Sequence, residues 1–304
     1  MPDKPAAELT MDAELIRTLI AEQAPDLGVS ESTPIAHAAD GWDCSVWRLG
    51  TDLAVRLPRR AASASLLLHE QTVLRAIADR LKGTGVGVPA PVLSGRPAHG
   101  YPWSWSIVPW FDGVPGLQIP RGKRAEWAPG LARALDAIHV DAAPGFPVNP
   151  VRGVPLAARA DAIAARLASL RSRRPAGELD AVARAWDAAL AAPTWDRSPV
   201  WIHGDLHPGN LIVDPTGLVA IIDFGDVTAG DPAYDLSAAW TVFDPEGRAA
   251  FTATISDRYD GATWVRARGW AGAVALLLLD QSDDNPDYAG LGAEISAQLV
   301  RDAA

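Results

Sequence analysis

The stretch that most constrains this chain is WIHGDLHPGNLIVD, in which Asp205 and Asn210 stand five residues apart between two apolar runs. His203 and His207 are four apart, the spacing that puts two zinc ligands on one face of a helix. Gly and Pro within the stretch disfavour a helix, and no Glu stands where a metal-site base would be needed. Two interpretations then remain. One is a polar turn between strands; the other is a phosphoryl-transfer loop, in which the Asp receives a hydroxyl proton and the Asn binds a metal ion.

The residues that follow predict a β-hairpin. The short, β-branched runs LIVD and LVAIID are separated by PTG, the pattern of strand, tight turn and strand. The second run ends at Asp223, in the sequence IDFGD. Because a hairpin folds back on itself, we expect Asp223 to lie near Asp205 and Asn210. Oxygen ligands of this kind suit Mg²⁺, which binds through one or two carboxylates together with substrate phosphates. A simple turn does not predict this convergence.

HGDLHPGN followed by IDFGD resembles the catalytic and metal-binding motifs of the aminoglycoside phosphotransferase family, small-molecule kinases related in fold to protein kinases. The later segment GDPAYDLSAAW also resembles that family. The resemblance implies that Asp205 orients and deprotonates the substrate hydroxyl, while Asn210 and Asp223 hold Mg²⁺ on the nucleotide phosphates. It further implies that His203 and Asp235 brace the loop.

The resemblance implies an α+β, two-lobed, protein-kinase-like fold, with a small antiparallel-sheet N-lobe and a larger helical C-lobe. Local patterns agree with this order. Helical spacing of apolar residues predicts helices over 12–23 and about Ser63–Leu81, and Thr33–Arg60 reads as three strands. The apolar stretch Tyr101–Phe111 predicts further strands.

Helical patterns dominate after DGVPG, including the stripe Trp127, Leu131, Leu135 and Ile138. We therefore assign residues 1–111 to a nucleotide-binding lobe and residues 112–304 to a catalytic and acceptor-binding lobe. The linker between them is predicted at about 109–116.

The nucleotide-binding lobe carries Arg56 in the strand LAVRLPRR, where kinases usually have a Lys that grips phosphates and pairs with a helix Glu. Arg keeps the charge and offers a fork of donors, but it is not equivalent to Lys. Glu70, on the next helix, is the expected partner. The alternative is that Arg56 is an exposed strand residue. The loop GWDCS at 41–45 lacks GxGxxG, so none of its side chains is assigned a role.

The linker is where the resemblance places the purine base, against the backbone of Pro109, Trp110 and Phe111. Backbone donors and acceptors read a purine edge without a particular side chain. The sequence therefore predicts ATP or GTP as the phosphate donor without choosing between them.

Composition restricts the partners. The chain has 304 residues and a formal net charge of −10, which argues against a nucleic-acid-binding surface. Its one cysteine, Cys44, fits a reducing compartment. The N-terminal ten residues do not read as a signal peptide, and the longest apolar run, Trp270–Leu279, is too short to cross a membrane. We expect a cytoplasmic monomer or dimer with no nucleic-acid or membrane partner.

The acceptor is expected to be a hydroxyl of a small molecule, since family members phosphorylate aminoglycosides, macrolides and metabolites such as choline or sugars. The net charge and the acidic run DQSDDNPDY, Asp280–Tyr288, favour a polycationic aminoglycoside, although such a run is more commonly a solvated loop. VRLPRR and DPAYDLSAAWTVFDPEG also resemble macrolide kinases, which favours an apolar pocket. A catalytically inactive, nucleotide-sensing relative is disfavoured because Asp205, Asn210 and Asp223 are all present.

Overall fold

The structure, a computed structural model, describes residues 5–174, 176–282 and 285–302. It confirms the predicted α+β, two-lobed, kinase-like architecture, with an antiparallel sheet in the first lobe and mostly helices in the second. The elements of the first lobe are α1 Ala13–Gln23, β1 Ile35–Asp40, β2 Cys44–Leu49, β3 Leu53–Pro58, α2 Ala61–Leu81, β4 Leu93–Gly95 and β5 Trp105–Pro109.

The second lobe contains short strands that form two small sheets and a group of packed helices. Its strands are β6 Val114–Pro115, β7 Val200–Ile202, β8 Leu211–Asp214, β9 Gly217–Ile221 and β10 Thr228–Gly230. Its helices are α3 Ala128–Ile138, α4 Ala160–Arg171, α5 Ala176–Ala191, α6 Ala233–Leu236, α7 Ala238–Thr241, α8 Pro245–Thr254, α9 Gly261–Gln281 and α10 Pro286–Arg301.

The sheet of the first lobe has the order β1-β2-β3-β5-β4, with antiparallel neighbours throughout. The three strands predicted in Thr33–Arg60 are β1, β2 and β3. The apolar stretch Tyr101–Phe111 contains one strand rather than several. Tyr101 is taken up in a turn, where it bridges to Ala98, and the strand starts only at Trp105.

The first lobe has its own core beneath α1. Ile16, Leu19 and Ile20 of that helix are buried together with Val55 and Trp105 of the sheet. Burying this apolar stripe is the main reason that a short helix holds its place, because an isolated helix of this length is marginal in water.

Helix α2 joins the two lobes. Its residues Val73, Leu74 and Ile77 belong to the core of the second lobe, where Leu131 and Leu135 of α3 are also buried. The middle of α2 therefore keeps a defined position relative to the loop that carries Asp205 and Asn210, although the chain reaches that loop only much later.

The second lobe is organised around α9, which packs against α4, α5, α6 and α10. Its mostly apolar surface is buried by those helices, as expected for a helix that is hydrophobic on most sides. Within the described parts of the chain, no helix is both long enough and apolar enough to span a membrane. Strands β8 and β9 form the predicted hairpin, with β6 of the linker pairing along β8.

Candidate active site

The loop between β7 and β8 presents Asp205 and Asn210 side by side. The Asn210 Nδ2 group donates to the Asp205 carbonyl oxygen at 2.8 Å and lies 3.4 Å from its carboxylate. His207 precedes a single 3-10 turn, Pro208–Asn210, and its Nδ1 accepts the Gly209 N–H at 3.0 Å. The loop geometry thus fixes the spacing of the acid and the amide.

His203 holds the same loop from beneath. Its Nδ1 accepts the Asp205 N–H at 3.1 Å, and its Nε2 donates to the Ile222 carbonyl at 3.0 Å. The ring is fully buried. His203 and His207 therefore each hold a separate piece of loop backbone, which agrees with the bracing role implied for His203 and not with a shared zinc ion.

Asp235 anchors the start of the loop. Its carboxylate accepts the His203 N–H at 2.6 Å and the Gly204 N–H at 3.0 Å, and it also contacts His139 Nε2 at 3.1 Å. Burial alone would raise the pKa of Asp235, but the hydrogen bonds and the charge of His139 outweigh it and hold the pKa below its ordinary value. The carboxylate thus stays ionised as a buried acceptor.

Gly204 is required at its position. Its φ is +82°, and a Cβ there would lie 2.6 Å from the Asp226 carbonyl oxygen. Both conditions favour the residue without a side chain. The Gly therefore lets the loop turn directly against the segment that follows β9.

Asp223 reaches Asp205 and Asn210 as the hairpin predicts. The Ile222 N–H donates to the Asn210 carbonyl at 2.9 Å, which ties the end of β9 to the loop. Asp223 has a φ of +66°, a left-handed conformation that among the described non-glycine residues only His99 shares. Such conformations are costly outside glycine and are concentrated at functional sites.

The Asp223 carboxyl is half-buried at the cavity and close to other acids. Burial first, and then the negative charges of Glu70 and Asp205, raise its pKa to about 7, against the opposing effect of Arg56. A cation bound beside this carboxylate would stabilise its ionised form.

Arg56 and Glu70 form the predicted pair. Arg56 Nη1 lies 2.7 Å from Glu70 Oε2, and Glu70 Oε1 accepts the Phe224 N–H at 2.9 Å. The Arg56 side chain is 13% exposed and that of Glu70 only 3%. Arg56 is therefore not an exposed strand residue, and Glu70 lies behind it as the residue that positions it.

A cavity of about 1140 Å³ lies between the lobes. Every predicted site residue except Glu70 lines it: Arg56, Pro109, Trp110, Phe111, Asp205, Asn210 and Asp223. This volume exceeds the range usual for a single small-ligand pocket.

Trp110 lines the cavity and is held by several contacts within the protein. Its N–H is already bonded to the Asp52 carbonyl at 2.8 Å, and its indole N–H donates to Asp112 at 3.0 Å. The Arg48 guanidinium lies over the Trp110 ring, 4.8 Å from its centroid. Both N–H groups of Trp110 are therefore already paired within the protein.

The arrangement fits Mg²⁺. Asn210 uses its Nδ2 group on Asp205, which leaves its side-chain oxygen for a metal, and Asp223 supplies a carboxylate. No cluster of three or more His, Cys, Asp or Glu side chains suited to a metal occurs in the described part of the chain. A site with one carboxylate and one amide oxygen suits a metal that takes its remaining ligands from phosphates and water.

Arg152 and Asp226 also lie at the site, and sequence reasoning gave neither a role. Arg152 Nη1 lies 2.5 Å from Asp205 Oδ1, and Nη2 lies 3.0 Å from Asp226 Oδ2. Burial alone would raise the pKa of Asp205, but the charge and hydrogen bond of Arg152, together with the effects of His207 and His203, outweigh burial and hold the pKa below its ordinary value. Asp226 was visible in IDFGD, whereas Arg152 sits in a Pro- and Gly-rich segment that reads only as a loop.

The wall facing the catalytic loop comes from α9, α10 and the turn between them. It is apolar or neutral in the described residues: Val274, Leu277, Leu278, Gln281, Ser282, Asn285 and Tyr288. Asp280 does not line the cavity, and its carboxylate instead pairs with Arg166 at 3.4 Å and with Arg173 at 2.5 Å. Asp287 borders a separate cavity of about 210 Å³. The remaining acids of the run, at 283–284, lie outside the described residues.

Comparison with solved structures gives the same fold at low identity. A GDP complex of aminoglycoside 2'-phosphotransferase-IIIa is 18% identical, covers 97% of this chain and 100% of its own, and has a TM-score of 0.65. An ADP-bound aminoglycoside phosphotransferase is 15% identical, covers 95% of this chain and 99% of its own, and has a TM-score of 0.59. A macrolide 2'-phosphotransferase from Brachybacterium faecium is 21% identical, covers 92% of this chain and 98% of its own, and has a TM-score of 0.57.

Comparison with curated protein sequences gave no significant match. A family model does match, over residues 35–270. This range contains every predicted site residue and the loop that carries Asp205 and Asn210, whereas the cavity wall from Val274 to Tyr288 lies beyond it. The chain therefore belongs to the phosphotransferase enzyme family of the aminoglycoside phosphotransferase type.

Proposed function

We propose that this protein is a Mg²⁺-dependent kinase that moves the γ-phosphoryl group of ATP or GTP to a hydroxyl group of a small molecule. The observation that carries the proposal is the convergence of Asp205, Asn210 and Asp223 on one cavity, with Arg56 opposite them. These are the groups that positioning and charge neutralisation of a phosphoryl group require.

Asp205 accepts the proton of the acceptor hydroxyl and aims that oxygen at the phosphorus. Its carboxylate is ionised because Arg152 stabilises the negative charge, and His203 and Asn210 fix its backbone. The transition state of phosphoryl transfer is loose, so correct placement matters more than a strong base.

Asn210 and Asp223 would hold Mg²⁺ on the nucleotide phosphates. When bound, the metal neutralises the charge that develops on the phosphate oxygens. Arg56, held by Glu70, adds a second cation from the other lobe. Its fork of donors can contact two phosphate oxygens at once.

The donor is a purine nucleoside triphosphate that enters along the linker. Pro109 and Phe111 offer backbone groups there, and Phe111 closes against Gly87, where a Cβ would lie 2.4 Å from the ring. Related structures contain GDP in one case and ADP in another. Both nucleotides therefore belong in the test.

The chemical class of the acceptor is inferred from the cavity wall that α9 and α10 form. An aminoglycoside was expected from the net charge and the acidic run, but Asp280 is already paired with two arginines. The described part of the wall offers apolar and neutral surface instead. We therefore place an acceptor with one amine and a large apolar face, such as a macrolide, ahead of an aminoglycoside.

A phosphate-transfer screen tests the proposal. The purified protein is incubated with Mg²⁺ and either ATP or GTP, together with macrolides, aminoglycosides, choline and sugars, and the phosphorylated product is identified by mass spectrometry. Transfer that requires both Mg²⁺ and Asp205 supports a kinase. Nucleotide binding without transfer to any hydroxyl would instead favour a nucleotide-sensing relative.

A further inference from the structure

Arg152 stands on the acceptor side of the catalytic loop. Besides Asp205 and Asp226, its guanidinium donates to the Gly204 carbonyl at 2.6 Å and lies 3.4 Å from the Tyr234 hydroxyl. The side chain is 20% exposed and lines the cavity. A fixed positive charge thus lies beside the carboxylate that must receive the acceptor hydroxyl.

The turn that carries Arg152 is built for this placement. The Asn149 side-chain oxygen accepts the N–H groups of Val151 and Arg152, at 2.8 Å and 3.2 Å. The Asn149 amide donates to Asp226 at 2.8 Å.

The following residue, Gly153, packs against β10. A Cβ there would lie 2.5 Å from Thr228 Oγ1 and 2.6 Å from the Ala229 carbonyl. The Thr228 hydroxyl also accepts the Asn149 N–H at 2.7 Å. The loop is therefore pinned on both sides of Arg152, so the guanidinium has a defined position.

Both carboxylates on the acceptor side are consequently occupied from within the protein. Asp205 Oδ1 and Asp226 Oδ2 contact the Arg152 guanidinium, and Asp226 Oδ1 accepts from Asn149. A polycationic acceptor needs carboxylates with free oxygens near the reacting hydroxyl. It meets a guanidinium there, and the facing wall of α9 and α10 contributes no charged residue among those described.

We propose that Arg152 is a specificity-determining residue that excludes polycationic acceptors and reserves Asp205 for a hydroxyl on a neutral or singly charged molecule. This inference rests on the proposed kinase function, because it concerns the acceptor of that reaction. Like-charge juxtaposition is a common way for a binding site to reject a wrong ligand.

The test compares a polycation with a singly charged ligand. Kanamycin and erythromycin are titrated by calorimetry into the full chain loaded with Mg²⁺ and a non-hydrolysable nucleotide, at low and high NaCl. The variants are Arg152→Gln, which removes the charge, and Arg152→Lys, which keeps it. Arg171→Gln is the matched control, since it removes a surface arginine that pairs with Asp180 outside the cavity.

We expect Arg152→Gln to strengthen kanamycin binding by about tenfold or more, the equivalent of 1.4 kcal/mol, and to make it weaken with salt, because salt screens attraction to the freed carboxylates. Arg152→Lys and Arg171→Gln should leave kanamycin binding near that of the wild type. Erythromycin binding should change little in any of these variants and depend little on salt, since it is dominated by apolar burial.

Three outcomes would overturn the inference. The first is tight, salt-sensitive kanamycin binding by the wild type, a result that does not depend on any variant folding. The second is an equal loss of both ligands in Arg152→Gln, which would make Arg152 only a brace of the loop. The third is no gain for kanamycin in Arg152→Gln. Nucleotide loading is measured first. Its absence would defeat the proposed function, whereas loading together with tight, salt-sensitive kanamycin binding by the wild type would defeat only the role of Arg152.

Discussion

Arg56 Nη1 lies 2.7 Å from Glu70 Oε2, and the other oxygen of the same carboxylate accepts the backbone N–H of Phe224 at 2.9 Å. Phe224 directly follows Asp223, so one buried acid links β3, which carries Arg56, to the segment that carries Asp223. Because α2 also packs into the core of the second lobe, Glu70 is one of the contacts that hold the two lobes together at the cavity.

Glu70→Gln should destabilise the protein and weaken nucleotide binding. The amide keeps an oxygen for the Phe224 N–H but leaves Arg56 without its opposite charge, and breaking such a buried pair costs about 3–5 kcal/mol. Urea unfolding and nucleotide titration measure the two effects. Glu178→Gln, which removes a partly exposed partner of Arg174, should cost less than about 1 kcal/mol. Equal effects of the two variants would contradict the role given to Glu70.

Asp205→Asn should reduce turnover by roughly two to four orders of magnitude while nucleotide affinity stays close to that of the wild type. The amide cannot accept the hydroxyl proton, whereas the phosphate-binding groups are untouched. Steady-state kinetics with a nucleotide titration separates these effects. Asp214→Asn, at the hairpin turn where Asp214 bonds to Thr216, is the matched control. Near-normal turnover of Asp205→Asn would remove this residue from the mechanism.

Asp223→Ala should abolish the part of nucleotide binding that requires Mg²⁺. The substitution deletes the charged ligand, and the phosphate oxygens with Asn210 alone cannot replace it. Calorimetry with and without Mg²⁺ shows the difference, and Asp214→Ala serves as the control. If the metal dependence is unchanged, the hairpin does not deliver Asp223 to the phosphates.

Much of this site follows from local sequence patterns. The hairpin of β8 and β9 and the first three strands were predictable because alternation, β-branched residues and turn residues act over a few neighbouring positions. The Arg56–Glu70 pair was predictable because the strand and the helix are adjacent in the chain and the resemblance fixed their roles.

The rest depends on contacts between distant segments. β4 is only three residues long, Leu93–Gly95, and its pairing with β5 has no local signal. Arg152 reaches Asp205 because Asn149 and Gly153 pack against β10, and the contact of Asn149 with Thr228 spans 79 residues of the chain. The acidic run illustrates the opposite case: composition gave the charges of Asp280 and its neighbours but not the side to which they point.

Asp235→Ala should destabilise the protein and slow turnover, with less effect on nucleotide affinity. The change leaves the His203 and Gly204 N–H groups and the His139 ring without their buried acceptor, and each such group costs about 1–3 kcal/mol. Thermal unfolding and kinetics measure the result. Asp260→Ala, which removes an exposed helix cap at Thr263, should cost about 1 kcal/mol and leave turnover unchanged. Comparable effects on turnover would argue against a bracing role.

The stability of the metal-free protein should depend on the ionisation of Asp223. Its pKa rises from 3.8 to about 7 in the folded protein, chiefly through burial. The folded state therefore holds a proton that the unfolded state releases, and this contribution to stability is full below the unfolded pKa and lost as pH rises through the folded value. The loss can reach about 1.4 kcal/mol per pH unit.

Asp223→Asn isolates this effect, because it removes the titrating group and keeps a side chain of the same shape. In EDTA, we expect the variant to gain stability relative to the wild type as pH rises from about 4 to about 7, with a constant difference above that range. Mg²⁺ with nucleotide should reverse the order, because metal binding requires the ionised carboxylate and stabilises only the wild type. Urea unfolding at each pH, with and without the ligands, gives both curves. A difference between the two proteins that does not change with pH would show that Asp223 is already ionised without metal.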